Sequence, residues 1–418
     1  LSAAGGLQRP RFAARPGSAR WIATLSALTG VTALSIDMSL PAQPTLGRAF
    51  HAGSDDTQLT LSLFLVGYAV GQLVSGSLSD ARGRRVVLLG GLGVFTVAGL
   101  ACSVSTSLST LVILRMVQGL GAAAAPVVAR AMVRDTQPST EAARLLATMT
   151  AVLAIAPMVA PLAGGWLLTH LGWQSIFGAL AAVGVVLAAL SALTLEETRP
   201  KALRTALSFA AVLRGFLTFF RTPGTRVPTL LACASFAGQF AFISDSPFVI
   251  IDGYGVPAEH YGFYFGSTAV MLMAGSLTSG HLVKRGFTPR ALLGVGAALL
   301  CTGGVLLAIL VRVPALGVAG LMGPMMIYFI GIGFVGPNAT AIAMAPVPAL
   351  AGTASALIGF LQMAAGALSG YVATRVGGKD PATLGLITGA MGLFAALLVA
   401  VTLVQAGRGR RAERRRAA

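Results

Sequence analysis

Apolar runs of about 20 residues recur along the whole chain, and the connections between many of them are too short to fold on their own. A chain built this way has few options. Each run is long enough to cross a hydrocarbon core as a helix, at roughly 20 residues per crossing, and 418 residues with 55% hydrophobic and 10% charged side chains leave too little charge to cover a water-soluble globule. The mean hydropathy of +0.81 agrees. We read an integral membrane protein with twelve spans, at 21–40, 57–79, 86–104, 109–128, 143–169 and 173–195, then from Val227, Tyr261, Arg290, Leu316, Ala351 and Thr383. The organisation follows: a cytoplasmic tail 1–20, a six-helix half 21–195, a linker 196–226, a second half 227–405 and a basic tail 406–418.

The net charge of +17 raises nucleic acid as a partner, so the placement of the basic residues decides the matter. With the N-terminus inside, the leader arginines, the loop around Asp80, 130–144, 199–226, 284–290 and 408–416 all face one side. Arg48, Arg312, Arg375 and Lys379 face the other. This is the positive-inside pattern, which puts both termini in the cytoplasm. The basic residues form no folded patch interleaved with aromatics, which disfavours nucleic acid. The opening segment 1–20 reads as a start-site artefact or a disordered tail, and no cleavable signal peptide is expected because the first apolar run continues as a full span.

The shortest connection carries the densest charge: Gly76-Ser-Leu-Ser-Asp80-Ala-Arg82-Gly83-Arg84-Arg85. A helix is expected to end before Asp80 and the next to begin after Arg85. Gly83 permits a tight turn, and Asp80 can meet a helix N-terminus or an arginine such as Arg134, joining the two halves on the inner side. The plainer reading treats these arginines as topology signals alone.

Two sequence pairs indicate an internal duplication. Ser35-Ile-Asp37-Met-Ser-Leu-Pro41 resembles Ile243-Ser-Asp245-Ser-Pro247 at an offset of 208, and Gly76-Ser-Leu78 resembles Gly280-His-Leu282 at 204. Two matches at nearly one spacing fit parallel six-helix repeats.

Charges inside the spans are costly, by about 3 kcal/mol on insertion scales, and normally face a partner or a water-filled cavity. Asp37 lies roughly 24 Å into the first span, and Arg115 roughly 10 Å below the same outer surface at 1.5 Å per residue. An ion pair between them, or a shared cavity, is expected. Asp245 occupies the matching place in span seven, beside Pro247, which favours a local break. Access of water or substrate to such carboxylates can toggle a proton; the alternative is that both only cap broken helix ends. Gln118, Gly119 and Gly121 make a smooth face on span four, for a ligand or for packing. Pro157 and Pro161, with Gly164 and Gly165, should kink span five. Met271, Met273, Met322, Met325 and Met326 read as a flexible pocket lining or as packing filler.

The remaining chemistry is sparse. Cys102, Cys233 and Cys301 stand singly, the four histidines are dispersed, and no HExxH or phosphate-loop motif occurs, so neither a metal nor a cofactor is expected and ATP-driven pumping is disfavoured. A membrane enzyme or a scaffold would need a reactive cluster or a soluble domain. Segment 208–220 of the linker has apolar and basic residues at helical spacing, compatible with an amphipathic helix on the inner leaflet or with a disordered linker.

The 76–85 stretch resembles the helix-two to helix-three signature of the major facilitator superfamily, departing at Ala81. Leu111-Val-Ile-Leu-Arg115-Met-Val-Gln118-Gly119-Leu-Gly121 is similar to that family's fourth-helix motif, and 156–165 to its antiporter motif with Ala160 in place of glycine. Within the family, Ser35-Ile-Asp37-Met-Ser-Leu-Pro, Gln58-Leu-Thr-Leu-Ser, Gly71-Gln72, Arg130-Ala-Met-Val-Arg134-Asp135, Gly172-Trp173, Glu197-Thr198 and Phe242-Ile-Ser-Asp-Ser246-Pro247 resemble the Bcr/CflA drug exporters. The resemblance implies an all-α membrane protein with the major facilitator fold, twelve transmembrane helices in two pseudo-symmetric six-helix bundles, exporting small amphipathic drugs such as chloramphenicol or bicyclomycin in exchange for protons by alternating access. A metabolite transporter on the same fold is the rival reading. We further expect a monomer in the bacterial inner membrane. Proton coupling is expected at Asp37 and Asp245, as charges buried in the spans, and at Arg115 by its place in the resembled fourth-helix motif. The substrate cavity falls to Asp37, Gln118, Gln72, Tyr68, Phe242 and Asp245. Gating falls to Gly76, Asp80, Gly83, Arg84, Arg85, Arg134, Pro157, Pro161, Gly164 and Gly165.

Overall fold

In hydrocarbon no water satisfies backbone amides, so each apolar run closes its hydrogen bonds internally as a helix. A computed structural model describes residues 14–204, 209–348, 351–377 and 380–417. Among these, eleven helices are long and apolar enough to cross a membrane. We number the spans α1 (Ala19–Ala49), α2 (Ser54–Arg82), α3 (Arg84–Ser103), α4 (Leu108–Thr136), α5 (Thr140–Leu171), α6 (Trp173–Thr194), α7 (Arg226–Gly253), α9 (Pro289–Leu310), α10 (Pro314–Met344), α11 (Ala354–Gly377) and α12 (Pro381–Val401). The place of α8 is taken by Ala258–Lys284, 27 residues long, whose ends carry Glu259, His260 and His281. That length reaches about 40 Å. Most of the expected tail 1–20 lies outside the described residues, as do Ser208, Lys379 and the side chains of the tail 406–418.

The chain divides into two compact units: one runs up to Ala52 and resumes from Leu59 to Phe209, and the other holds Gly53–Gln58 and everything from Ala210 onward. The division at 209 and 210 falls inside the expected linker. In the first unit α1 packs on α4, α5 and α6, and α3 on α4 and α6. In the second, α7 packs on α10, α11 and α12, and α9 on α10 and α12. Each of these pairings recurs six spans later, as duplicated halves require.

The same holds for one close helix crossing. A Cβ at Gly67 of α2 would run into the Met116 carbonyl of α4, and one at Gly119 into the Phe64 carbonyl. In the second unit Gly275 of α8 abuts the Ile330 carbonyl of α10, and Gly333 abuts the Leu272 carbonyl. Small residues let the two backbones touch. Gly119, on the smooth face of α4, is therefore a packing contact with α2.

Two boundaries differ from expectation. α2 does not stop before Asp80 but continues to Arg82, and α3 begins at Arg84, so the connection shrinks to Gly83 alone, at φ 107°. Asp80 can remain helical because Arg84, four residues on, answers its charge at 2.7 Å. α1 runs past its expected end to Ala49, but its α-helical part stops at Asp37 and a 3₁₀ turn, Leu40–Ala42, intervenes.

Candidate functional site

The stop in α1 exposes backbone acceptors, and that governs the site in the first unit. Pro41 helps end the helix. The Ser39 amide turns to the Ile36 carbonyl instead of the Ser35 carbonyl that regular helix would give it. The freed Ser35 carbonyl takes a hydrogen bond from Arg115 Nη2 at 3.1 Å. The same guanidinium donates to Gln118 Oε1 at 2.7 Å and, through Nε, to the Thr60 carbonyl at 3.4 Å. Its flat face lies 4.2 Å from the Phe64 ring centroid and 5.6 Å from that of Phe177. Arg115 is fully buried.

This overturns the expected Asp37–Arg115 ion pair. No hydrogen bond or ion pair to the Asp37 carboxylate occurs among the described residues. A cation favours the carbonyl end of a helix, and the broken end of α1 supplies such a carbonyl two residues before the aspartate. Asp37 is buried at the last helical position. Behind it α5 approaches so closely that a Cβ at Gly164 would overlap the Met38 carbonyl. Gly165 is buried as well. In α5 the helix is interrupted at Ala154 and Ile155, resumes at Ala156 with Pro157 in its first turn, and carries Pro161 inside. Pro157 at the start loses nothing by lacking an amide proton.

Nearby polar groups join this region. Gln43 Nε2 donates to Thr60 Oγ1 at 3.1 Å, both side chains buried. Gln118 Nε2 and Gln72 Oε1 are enclosed without a hydrogen-bond partner among the described residues. Tyr68 is buried one turn before Gln72 on α2.

The second unit carries a second buried carboxylate. Asp245 is wholly enclosed, and among the described residues neither of its oxygens has a hydrogen-bond partner. It sits where α7 leaves regular geometry, with Pro247 two residues on and a π-type turn over Phe248–Gly253. Its neighbours are committed elsewhere: Ser244 Oγ accepts from Gln58 at 2.9 Å, and Ser246 Oγ lies 2.9 Å from the Tyr261 hydroxyl. Phe242, expected in a substrate cavity, is buried, stacked on Phe265 at 6.4 Å and edge-on to Phe329 at 5.6 Å. Aromatic edges and faces attract at such separations.

At the other end of the first unit Arg84 is a hub. Its Nε donates to Asp135 at 2.8 Å, Nη1 to Ser79 Oγ at 2.7 Å, and Nη2 meets Asp80 at 2.7 Å. The Glu197 carboxylate accepts from the amides of Arg84, Arg85 and Arg199 at 2.8, 3.1 and 2.9 Å, capping the positive start of α3. Arg85 donates to the Ala192 carbonyl of α6 at 2.7 Å. Two expectations are thereby corrected. Asp80 pairs with Arg84 and sits 3.9 Å from Arg199, while Arg134 is exposed. The helix-start role falls to Glu197, because the helix continues through Asp80, and the partners of Arg84 all belong to the first unit. At Gly83 a Cβ would come within 2.5 Å of Glu197 Oε2, whereas one at Gly76 would meet nothing nearer than Val127 at 3.9 Å.

Residues 25–370 match the sequence model of the Major Facilitator Superfamily. The chain belongs to that superfamily. It is 33% identical over 339 residues to the uncharacterized MFS-type transporter YdgK of Bacillus subtilis, covering 80% of this chain and 83% of the relative. The bicyclomycin resistance protein homolog of Haemophilus influenzae is 31% identical over 357 residues, covering 84% and 87%. The multidrug resistance protein MdtL of Citrobacter koseri is 28% identical, covering 82% and 85%. The fold matches that of a D-xylose-proton symporter with a TM-score of 0.73 at 17% identity, over 91% of this chain and 97% of that one. It matches the nucleoside transporter NupG at 0.74 and 13% identity, over 91% and 98%.

In this major facilitator protein the structure brings Arg115 and Gln118 together and sets Gln72 and Tyr68 on the neighbouring α2. Gln43, Thr60, Phe64, Asp135 and the capping role of Glu197 were not singled out from sequence as site residues. A signal existed for two of them: Gln43 follows Pro41 at the break, and Glu197 stands in the first polar segment after α6.

Proposed function

We propose that this protein exports small amphipathic drugs of the chloramphenicol or bicyclomycin kind in exchange for protons, by alternating access, as a monomer in the bacterial inner membrane with both termini cytoplasmic. The observation that carries the reading is Asp245, a buried carboxyl group with both oxygens unpartnered among the described residues, and its counterpart Asp37 at the matching helix break. The names of two relatives, a bicyclomycin resistance homolog and a multidrug resistance protein, supply the substrate class.

The coupling follows from solvation. An ionised carboxylate needs donors or water around it, whereas the neutral acid can stay enclosed. Opening that hydrates Asp37 or Asp245 therefore favours proton loss to one side, and closure favours proton uptake; the helix breaks allow this without unravelling a span. Arg115, held on the Ser35 carbonyl, fixes the break beside Asp37 and positions Gln118, which with Gln72 and Tyr68 offers polar contacts to a neutral drug. The α5 prolines and the contact of Gly164 with Met38 tie motion of α5 to that break. The Gly83 turn with Asp80, Arg84 and Arg85 governs the inner gate.

The test is efflux from proteoliposomes under an imposed pH gradient, comparing the unmodified protein with Asp37→Asn and Asp245→Asn. Gradient-driven export of chloramphenicol or bicyclomycin that falls in both variants supports the reading. Full gradient-driven rates in both variants overturn the carboxylate assignment. Gradient-driven movement of a cellular metabolite but of neither drug favours the metabolite reading.

A further inference from the structure

The linker forms a helix, Phe209–Arg221, that the exporter reading leaves without a task. At 100° per residue its residues 213–221 divide sharply. Phe219, Phe216, Phe220, Leu213 and Leu217 share one broad apolar arc, and Arg221, Arg214 and Thr218 follow along one edge of it.

Protein covers only half of that arc. Phe219 is fully buried and Phe216 packs beside it against Ala343 and Val347 at the end of α10 and Leu357 and Ile358 at the start of α11. The other half faces outward: Leu213 is 60% exposed, Leu217 49% and Phe220 38%. The chain holds this stripe close to the membrane, because Arg221 and Arg226, the first residue of α7, are separated by at most about 18 Å of backbone. Two contacts fix the junction. Arg226 Nε donates to the Phe220 carbonyl at 2.6 Å, and Thr225 Oγ1 donates to the Phe219 carbonyl at 2.7 Å.

We propose that Leu213, Leu217 and Phe220, edged by Arg214 and Arg221, form a docking surface for membrane lipid bearing anionic headgroups. A helix seated this way sinks its apolar stripe to the level of the acyl boundary while arginine stems reach back to phosphate. Each basic side chain near an anionic surface adds to the attraction, which neutral headgroups do not supply. The exposed apolar stripe lies on the same helix whose other half is anchored on the ends of α10 and α11, and its charged edge has the sign opposite to phosphatidylglycerol. The surface belongs to the linker and does not depend on which solute is carried.

The experiment is hydrogen exchange of the full-length protein in nanodiscs, made either of phosphatidylcholine alone or with phosphatidylglycerol added. Amides of 213–221 are expected to exchange on the order of tenfold more slowly in the anionic discs. The variant Arg214→Gln with Arg221→Gln should lose that difference, and Leu213→Ser with Leu217→Ser should exchange fast in both discs, with the amides of α10 and α11 unchanged as the internal control. Equal exchange of 213–221 in both discs overturns the proposal, as does slow exchange that survives the arginine replacements. Slow exchange in both discs that rises with protein concentration would assign the stripe to a second copy of the chain instead.

Discussion

Arg84→Ala should cost this protein more stability than any other single replacement at the Gly83 turn. The Arg84 side chain is 7% exposed, and it bonds Asp135, itself 16% exposed, and Ser79, together with the more exposed Asp80 at 41%. Removing one partner of an enclosed pair costs about 3–5 kcal/mol, while the share due to Asp80 is screened by water to roughly 1 kcal/mol or less. Among the described residues Asp135 would keep only the Thr198 hydroxyl, at 3.2 Å. Because Asp135 is not wholly enclosed, we expect a loss of about 3 kcal/mol. Arg85→Ala is the control. It removes a side-chain bond to the Ala192 carbonyl and should cost about 1 kcal/mol. Arg84→Lys should fall between, since an ammonium cannot reproduce the fork. Unfolding of detergent-purified protein can be followed by tryptophan fluorescence, because Trp21, Trp166 and Trp173 all lie in the first unit. A double-mutant cycle with Asp135→Asn should return a coupling of roughly 1.5–3 kcal/mol. Equal losses for Arg84→Ala and Arg85→Ala, or no coupling, would refute the assignment of Arg84 as hub.

Three further outcomes follow from the same geometry. Arg115→Lys should slow drug efflux nearly as much as Arg115→Gln, because the fork that spans the Ser35 carbonyl and Gln118 is what matters; full efflux with lysine would restore the simple charge-pair reading. Gly164→Val should lower both efflux and thermal stability, by about 1–3 kcal/mol for overpacking, whereas Gly76→Ala, whose methyl meets only Val127 at 3.9 Å, should leave the melting temperature unchanged; melting measurements separate them. Glu197→Gln should destabilise the protein by about 0.5–2 kcal/mol through loss of the charged cap, and added salt should narrow the gap from the unmodified protein in the same melting assay.

Much of the architecture was legible in the sequence because hydrocarbon imposes one periodicity and one length on every span. The apolar runs located the helices, and the aspartates 208 residues apart revealed a duplication that the packing of α1 and α7 repeats. The boundaries were less legible: Asp80 looked like a helix terminator until its charge found Arg84 one turn on. The partner of Arg115 was misread for a related reason. Depth counting placed Asp37 and Arg115 at one level, but it cannot register that a break in α1 frees the Ser35 carbonyl. The rings of Phe265 and Phe329 that surround Phe242 come from other spans and show only in three-dimensional packing. Glu197 caps a helix that begins 113 residues earlier in the chain, a pairing that local pattern cannot show.

The central claim is that proton binding at Asp37 and Asp245 and drug binding are linked. The direct measurement is proton release on addition of bicyclomycin or chloramphenicol to the purified protein in weakly buffered detergent solution. By linkage the unmodified protein should release about one proton per drug bound, with a release that varies with pH, and Asp37→Asn with Asp245→Asn should bind drug while releasing almost none. Drug binding with no proton movement anywhere between about pH 5 and 9, or undiminished release from the double variant, would contradict it.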